Sequence, residues 1–433
     1  MGTYISLDVG AIEIAWSKNH PGLDHSCLFH ETDRIEIRHD WSGEDDCQMG
    51  FRSTVAAVLP RIELLGHTLD RARREYETAV TINSRERLEY AEAVGEPAPS
   101  TDYLAFDEIL TIAKSIPAKG LSKEIDEKNQ EPKRILASGL VSRLPWYSVE
   151  DYRGRSFEID TVFSESTSAE YVLGGFDPYT IIRLLAENPA NLDCPVTWDY
   201  GPLVSGGYAR EEEFAINRRD RDCFLIVTEG GSDAVILRRA IELLRPQVRD
   251  FFRYIDMEEG YPFSGTGQLH KFIQGLVAMR VPLNVVAVYD NDAEGFAAFQ
   301  KTGSLKLLPS YRVCILPELA ALSSFPTIGP TGASLADINR RAASLECYLD
   351  LNRRGLPEVQ VQWGGFNESA GSYQGSLRGK TQFMNDFLGY RGGADRRGDY
   401  DFAKLEKVLD VVLGACVDIA STSGQSMLAK RLR

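Results

Sequence analysis

Two apolar runs that end in carboxylates constrain this chain more than any other feature. The first is Phe224-Leu-Ile-Val-Thr-Glu229-Gly230-Gly231-Ser-Asp233; the second is Asn284-Val-Val-Ala-Val-Tyr-Asp290-Asn-Asp292-Ala-Glu294-Gly295. Each predicts a buried β-strand that delivers acidic side chains at its C-terminal end, where open α/β sheets place their sites. On extended chain an Asp-x-Asp projects both carboxylates to one side, because side chains alternate with period two. Like charges held that close repel unless a cation sits between them, and oxygen-only ligands suit Mg²⁺ or Mn²⁺. The Gly230-Gly231 pair lets the backbone leave the first strand sharply, and a helix starting there favours an anion such as phosphate. Carboxylates with one or two Mg²⁺ are an apparatus for phosphoryl transfer.

The rest of the chain narrows the class. At 433 residues it is too long for one ordinary core, so two or three domains are expected. Hydrophobic content of 43% and charged content of 26% belong to a globular chain and not to a disordered one. No apolar run approaches bilayer length and the N-terminus has no basic segment leading an apolar one, so a cytoplasmic protein without a membrane partner is expected. The net charge of −15 argues against general affinity for nucleic acid. A local basic groove or bound metal can reverse that sign, and basic pairs occur at Arg238-Arg239, Arg340-Arg341, Arg353-Arg354 and Arg396-Arg397. Seven cysteines without a Cys-x-x-Cys pair predict reduced, mostly buried thiols and no structural zinc.

Along the chain, residues 1 to about 45 alternate as strands, and from about 50 to 95 apolar residues recur at helix spacing. Ser100 or Thr101 is expected to cap a helix through Ile116. Residues 118–134 predict a long loop or exposed helix end, and a strand-like section then leads to a helix at about 178–187. After the charged run Arg210 to Asp222, strands 224–229, 284–289 and 311–317 alternate with helices 232–245 and 293–301, which favours a parallel sheet. A helix carrying Glu346 is predicted over 334–352, and another amphipathic helix over about 402–420.

Thr228-Glu229-Gly230-Gly-Ser-Asp233, followed by Tyr289-Asp290-Asn-Asp292-Ala-Glu294-Gly295, resembles a Toprim domain, the metal-dependent catalytic domain of topoisomerases, primases and OLD-type nucleases. The resemblance implies that Glu229 is the general acid/base or a metal ligand, and that Asp290 and Asp292 are Mg²⁺ ligands. Ser344-Leu-Glu346-Cys-Tyr348-Leu349 is similar to a helix of OLD-type Toprim nucleases, which makes Glu346 a further candidate ligand. Lys380 matches the lysine that follows in such nucleases, where it would neutralise transition-state charge. The opening Met1-Gly-Thr-Tyr-Ile-Ser-Leu-Asp-Val-Gly and the stretch Arg61-Ile-Glu-Leu-Leu-Gly-His67-Thr-Leu are similar to bacterial HEPN/Toprim-associated proteins. HEPN ribonucleases use an Arg-x4–6-His pair, and Arg61 with His67 fits that spacing.

The expected fold is therefore α/β. A C-terminal Toprim domain (Rossmann-like, with a mainly parallel sheet) would span 216–355. An N-terminal mixed α/β and helical domain would span 1–215, and a C-terminal helical extension 356–433. The expected activity is Mg²⁺- or Mn²⁺-dependent cleavage of DNA or RNA by Glu229, Asp290, Asp292 and Lys380, with Asp233, Glu294 and Glu346 completing the metal shell. Antiphage defence is the role the resemblance implies. The alternatives are a regulatory or assembly protein with an inactive Toprim core, and a HEPN-type ribonuclease using Arg61 and His67. Expected partners are the nucleic acid, a second copy of the chain, and a separate ATPase or defence protein. Two other motifs are set aside. Gly375-Ser-Leu-Arg-Gly379-Lys380-Thr381 is one residue short of a phosphate-binding Walker loop and has no clear strand before it. Tyr4-Ile-Ser-Leu-Asp8-Val-Gly10 resembles the first phosphate loop of actin-like sugar kinases, but the remaining kinase motifs are missing.

Overall fold

The computed structural model describes residues 2–41, 44–95, 97, 102–121, 143–146, 165–216, 220–255, 265–368, 371–392 and 400–431. It is a mixed α/β chain of two compact units, one of Met1–Arg218 with Gly424–Arg433 and one of Arg219–Ser423. No described helix is long and apolar enough to cross a membrane. All seven cysteines are free, and Cys194, Cys223, Cys314, Cys347 and Cys416 are buried.

The first unit is built on an antiparallel sheet. Its strands are β1 (Tyr4–Val9), β2 (Ile12–Lys18), β3 (Arg34–Trp41), β4 (Glu44–Thr54) and β5 (Pro195–Asp199), in the order β2-β1-β5-β4-β3. Alternation in β1 buries Ile5, Leu7 and Val9 on one face. Gly10 then makes the turn into β2 at a φ of 60°, and a side chain there would meet the Ala118 carbonyl. The sugar-kinase-like run is thus strand β1 ending in a hairpin turn. Phe29, Phe51 and Trp198 stack in the core, and Tyr200 lies flat against Phe214. Around them pack helices Val55–Leu64, Leu69–Val94, Phe106–Ser115, Glu165–Leu173 and Pro178–Leu185.

The helix expected to be capped by Ser100 or Thr101 begins instead at Phe106, where Glu108 accepts a hydrogen bond from the Ala105 N–H. Ser100 and Thr101, most of 118–134 and the pair Arg396-Arg397 lie outside the described residues. Of the strand-like section before residue 178, the described part Glu165–Leu173 is helical.

The second unit holds a four-stranded sheet of β6 (Phe224–Thr228), β7 (Phe252–Tyr254), β8 (Asn284–Tyr289) and, after the two-residue β9 (Asn291–Asp292), β10 (Tyr311–Ile315). The order is β10-β8-β6-β7 and every pairing is parallel. Near-continuous apolar runs suit strands that are covered on both faces. In β8 every residue from Val285 to Tyr289 is buried. Helices Gly231–Leu244, Thr266–Met279 and Ala293–Gly303 make the connections. From β6 the chain steps outward to β7, whereas from β8 it steps the opposite way to β10. The adjacent ends of β6 and β8 therefore form the switch point of the sheet, where open α/β folds leave a crevice.

Two expectations fail in this unit. Residues 334–352 are not a helix. They form β12 (Gly332–Ala336), which pairs with β11 (Phe325–Gly329), then the short β13 (Ala342–Ala343) and a single 3-10 turn, Leu345–Tyr348. Arg340 takes a φ of 57°, which no continuing helix allows, and β13 pairs with β9 across the acidic loop. The C-terminal extension is likewise not wholly helical. β14 (Val361–Asn367) and β15 (Ser372–Leu377) form a hairpin that joins β11 in a second sheet. Only then come helices Lys380–Gly389 and Ala403–Arg431. The Walker-like run ends β15, turns at Arg378-Gly379 and enters the helix at Lys380, with Gly375 buried inside β15.

Candidate functional site

Glu229 and Asp290 each follow the last residue of their strand, and Thr228 and Val288 are paired neighbours in the sheet. The two acids therefore emerge side by side at the switch point. The backbone N–H of Asp290 donates to Glu229 Oε1 at 2.9 Å, and Leu345 N–H donates to Asp290 Oδ1 at 3.0 Å. Asp292 caps the helix Ala293–Gly303, its Oδ1 accepting from Gly295 N–H at 2.8 Å. Asp233 Oδ2 accepts from Gly230 N–H at 3.2 Å, folding the Gly-Gly turn onto the helix start. The β9–β13 pairing sets Ala342 opposite Asp292, and the turn that follows delivers Glu346. Glu346 is buried, accepts from Ser344 Oγ at 2.8 Å and faces Lys380 Nζ at 3.5 Å.

These groups act on one another. Burial, then the charge of Asp292, pushes the Glu229 carboxyl up to about 8. Burial and the charge of Glu346 push Asp233 up to about 7. Asp290 is raised well above the usual carboxylate range by burial and by the charges of Asp233, Glu229 and Asp292. For Lys380, burial alone would lower the pKa, but Glu346, Asp290, Cys347 and Asp233 together outweigh it and raise it. Lys380 is thus a fixed positive charge facing a cluster of acids. Glu294 is exposed and contributes its charge to Glu229 from the rim.

Among the described residues, no three His, Cys, Asp or Glu side chains are yet posed together as a cation's ligands. Glu229, Asp233, Asp290, Asp292 and Glu346 each have an oxygen that accepts from an N–H or O–H donor. The donor set nonetheless fits a hard divalent cation. It is all oxygen and half-buried to buried, and burial first and the neighbouring charges second push three of its carboxyls upward, a cost that a cation offsets.

Close backbone approach at Gly295 holds the geometry. A Cβ there would lie 2.2 Å from the Asp290 carbonyl oxygen and 2.9 Å from Glu229 Oε1. Alanine normally favours a helix over glycine by about 1 kcal/mol, but here it would force the Asp290 backbone to move. Gly295→Ala is expected to destabilise the fold by about 1–3 kcal/mol, read as a lower midpoint in thermal unfolding. An unchanged or raised midpoint would contradict the packing described.

Sequence reasoning missed Gln374. Its Nε2 donates to Asp292 Oδ2 at 2.7 Å and its Oε1 accepts from the Glu294 N–H at 3.2 Å. No local motif marks it, because β15 reaches the acidic loop only through the tertiary fold. Asn291, between the two aspartates, holds the loop that carries them. Its amide donates to Asn339 and Tyr348 and accepts from Arg340 N–H, which pins the loop.

Arg61 and His67 have partners of a different kind. Arg61 is 1% exposed and donates to the carbonyls of Cys27 and Phe29. His67 lies against Thr180 Oγ1 at 3.2 Å, Asp177 Oδ1 at 3.4 Å and the edge of Tyr179. Burial, then the Arg71 charge, pushes the His67 imidazole down to about 3, so it is neutral at physiological pH. Both side chains are built into the interior of the first unit. His67→Ala is expected to cost about 1–3 kcal/mol through a lost hydrogen bond and a small cavity. Any cleavage activity, assayed where the variant is folded, should stay within about twofold of wild type. A selective loss of RNA cleavage with an unchanged melting midpoint would establish a HEPN-type role instead.

No curated protein and no solved structure matches the chain. The family model described as HEPN/Toprim N-terminal domain 1 matches residues 1–222, just over half the length. This chain belongs to that nuclease-related HEPN/Toprim family.

Proposed function

We propose that this chain is a Mg²⁺- or Mn²⁺-dependent nuclease whose residues 216–355 form a Toprim domain. The observation that carries the reading is the meeting of Glu229, Asp290 and Asp292 at the switch point of a parallel sheet, with Lys380 facing Asp290 and its neighbours Glu346 and Asp233. Glu229, Asp290 and Asp292 would hold the cation, with Asp233, Glu346 and the rim residue Glu294 as further ligands. Once bound, the cation supplies Lewis-acid stabilisation of charge on a phosphodiester. The chain's own residues do the rest. Lys380 keeps its proton and offsets negative charge developing on phosphate oxygens. Glu229, with a carboxyl that titrates at about 8 before a cation binds, can hold or release a proton near neutral pH. The Gly230-Gly231 turn starts a helix whose N–H groups favour a phosphate.

The substrate in this reading is DNA or RNA. The test is incubation of purified protein with plasmid DNA, single-stranded DNA and total tRNA, with EDTA, Mg²⁺ or Mn²⁺. Cleavage that requires the metal supports the reading. No cleavage of any substrate, with an oligomer retained in solution, would favour the assembly role. The antiphage role rests on the resemblance, and infection of cells carrying wild type or the Asp290→Asn variant tests it.

A further inference from the structure

We infer that Gln374 is a positioning residue for the cation site: it sets the orientation of the Asp292 carboxylate from the neighbouring sheet. The inference rests on the metal-dependent reading above. The amide is chemically determined at both ends. A carboxylate oxygen can only accept, so the group facing Asp292 Oδ2 must be the NH₂; a backbone N–H can only donate, so the group facing Glu294 N must be the carbonyl. With Gly295 N–H on Oδ1 and Gln374 on Oδ2, both oxygens of Asp292 are fixed in direction while each keeps a lone pair free.

The scaffold is suited to this task. Gln374 sits on β15 at the bulge in its pairing with β14, between the paired residues Tyr373 and Gly375, and the Gly375 N–H donates to the Arg341 carbonyl at 3.2 Å. Arg341 is bridged to Asp292 itself. Two links therefore run from the hairpin to the acidic loop, one through Gly375 and Arg341 and one through the Gln374 side chain. Hydrogen-bonding partners of metal-ligating carboxylates typically change metal affinity by 10- to 100-fold when removed. Gln374 touches no reacting group in this arrangement. It acts through Asp292.

The experiment titrates Mn²⁺ into the full chain and follows binding by calorimetry and by loss of the free-ion EPR signal. Wild type, Asp290→Asn, Gln374→Met and Gln374→Asn are compared, with circular dichroism as the check on folding. Methionine keeps the length and removes both hydrogen bonds; asparagine keeps the amide but is one methylene too short. Both Gln374 variants are expected to bind Mn²⁺ about 10- to 100-fold more weakly. In cleavage assays their half-saturating Mn²⁺ concentration should rise by the same factor, with the rate at saturating metal close to wild type. Wild-type affinity in both variants, with Asp290→Asn still abolishing binding, would overturn the role of Gln374 and leave the cation site standing. Absence of Mn²⁺ binding by wild type itself would overturn both.

Discussion

Asp290→Asn and Glu229→Gln should each lower metal-dependent cleavage by about a hundredfold or more while leaving a folded protein. The argument starts from position. Both residues emerge at the switch point, Asp290 is enclosed among Asp233, Glu229 and Asp292, and Glu229 Oε1 is bonded to the Asp290 N–H. An amide in either place keeps the volume and the hydrogen-bonding oxygen but removes a negative charge that the cation needs. Stability should move the other way. In the absence of metal, each substitution removes a carboxyl whose ionisation burial and neighbouring acids oppose, so the variants should melt at or above the wild-type temperature at pH 8. Cleavage by all variants at wild-type rates would sink the assignment. A loss of activity that merely tracks a loss of folding would do the same.

The reach of the sequence differs from residue to residue. Glu229, Asp290 and Asp292 could be placed from it because strand and acid are adjacent in the chain: an apolar run predicts the strand, and the residue after it must emerge at the strand end. Neighbouring strands were likewise implied by the alternation of strands and helices. Glu346 was harder. The spacing of Ile338, Ala342, Leu345 and Leu349 imitates a helix face, but those side chains are buried by a strand bridge and a 3-10 turn. What breaks the helix is the loop's polar network: Asn339 Nδ2 donates to the Leu319 carbonyl, and Arg340 N–H donates to Asn291 across a long stretch of sequence. β14 and β15 were missed because Gly364, Gly365 and Gly375 dilute the alternation that marks strands. Gln374 is the extreme case. Its importance comes wholly from where β15 is pinned, and a lone glutamine carries no signal of that. Arg61 and His67 show the opposite limit: the spacing was there, yet each side chain is committed to buried partners.

The metal-free protein should lose stability as pH rises, and Mg²⁺ or Mn²⁺ should restore it. The sign follows from the direction of the shifts. Glu229 is raised from 4.5 to about 8 and Asp233 from 3.8 to about 7, in each case by burial first and neighbouring charge second. Between the ordinary and the raised values the folded unit binds protons that the unfolded chain has already released, so stability is greatest near the lower value and falls as pH climbs through the upper one. The groups share their repulsion, which makes the combined loss on the order of a few kcal/mol. For a unit of this size that is roughly 5–15 °C in melting temperature between pH 5 and pH 9 in EDTA. A bound cation replaces those protons. At a concentration of 100 times its Kd it should return about 2.7 kcal/mol at pH 8.5, and calorimetry in buffers of different ionisation heat should register proton release on binding near pH 7. Asp290→Asn should flatten the pH dependence and abolish the metal response together. A melting temperature that is level across this range, or one that rises with pH, would mean that the acids are not crowded as the fold places them. A steep pH dependence with no response to Mn²⁺ would mean that the crowding serves something other than a cation.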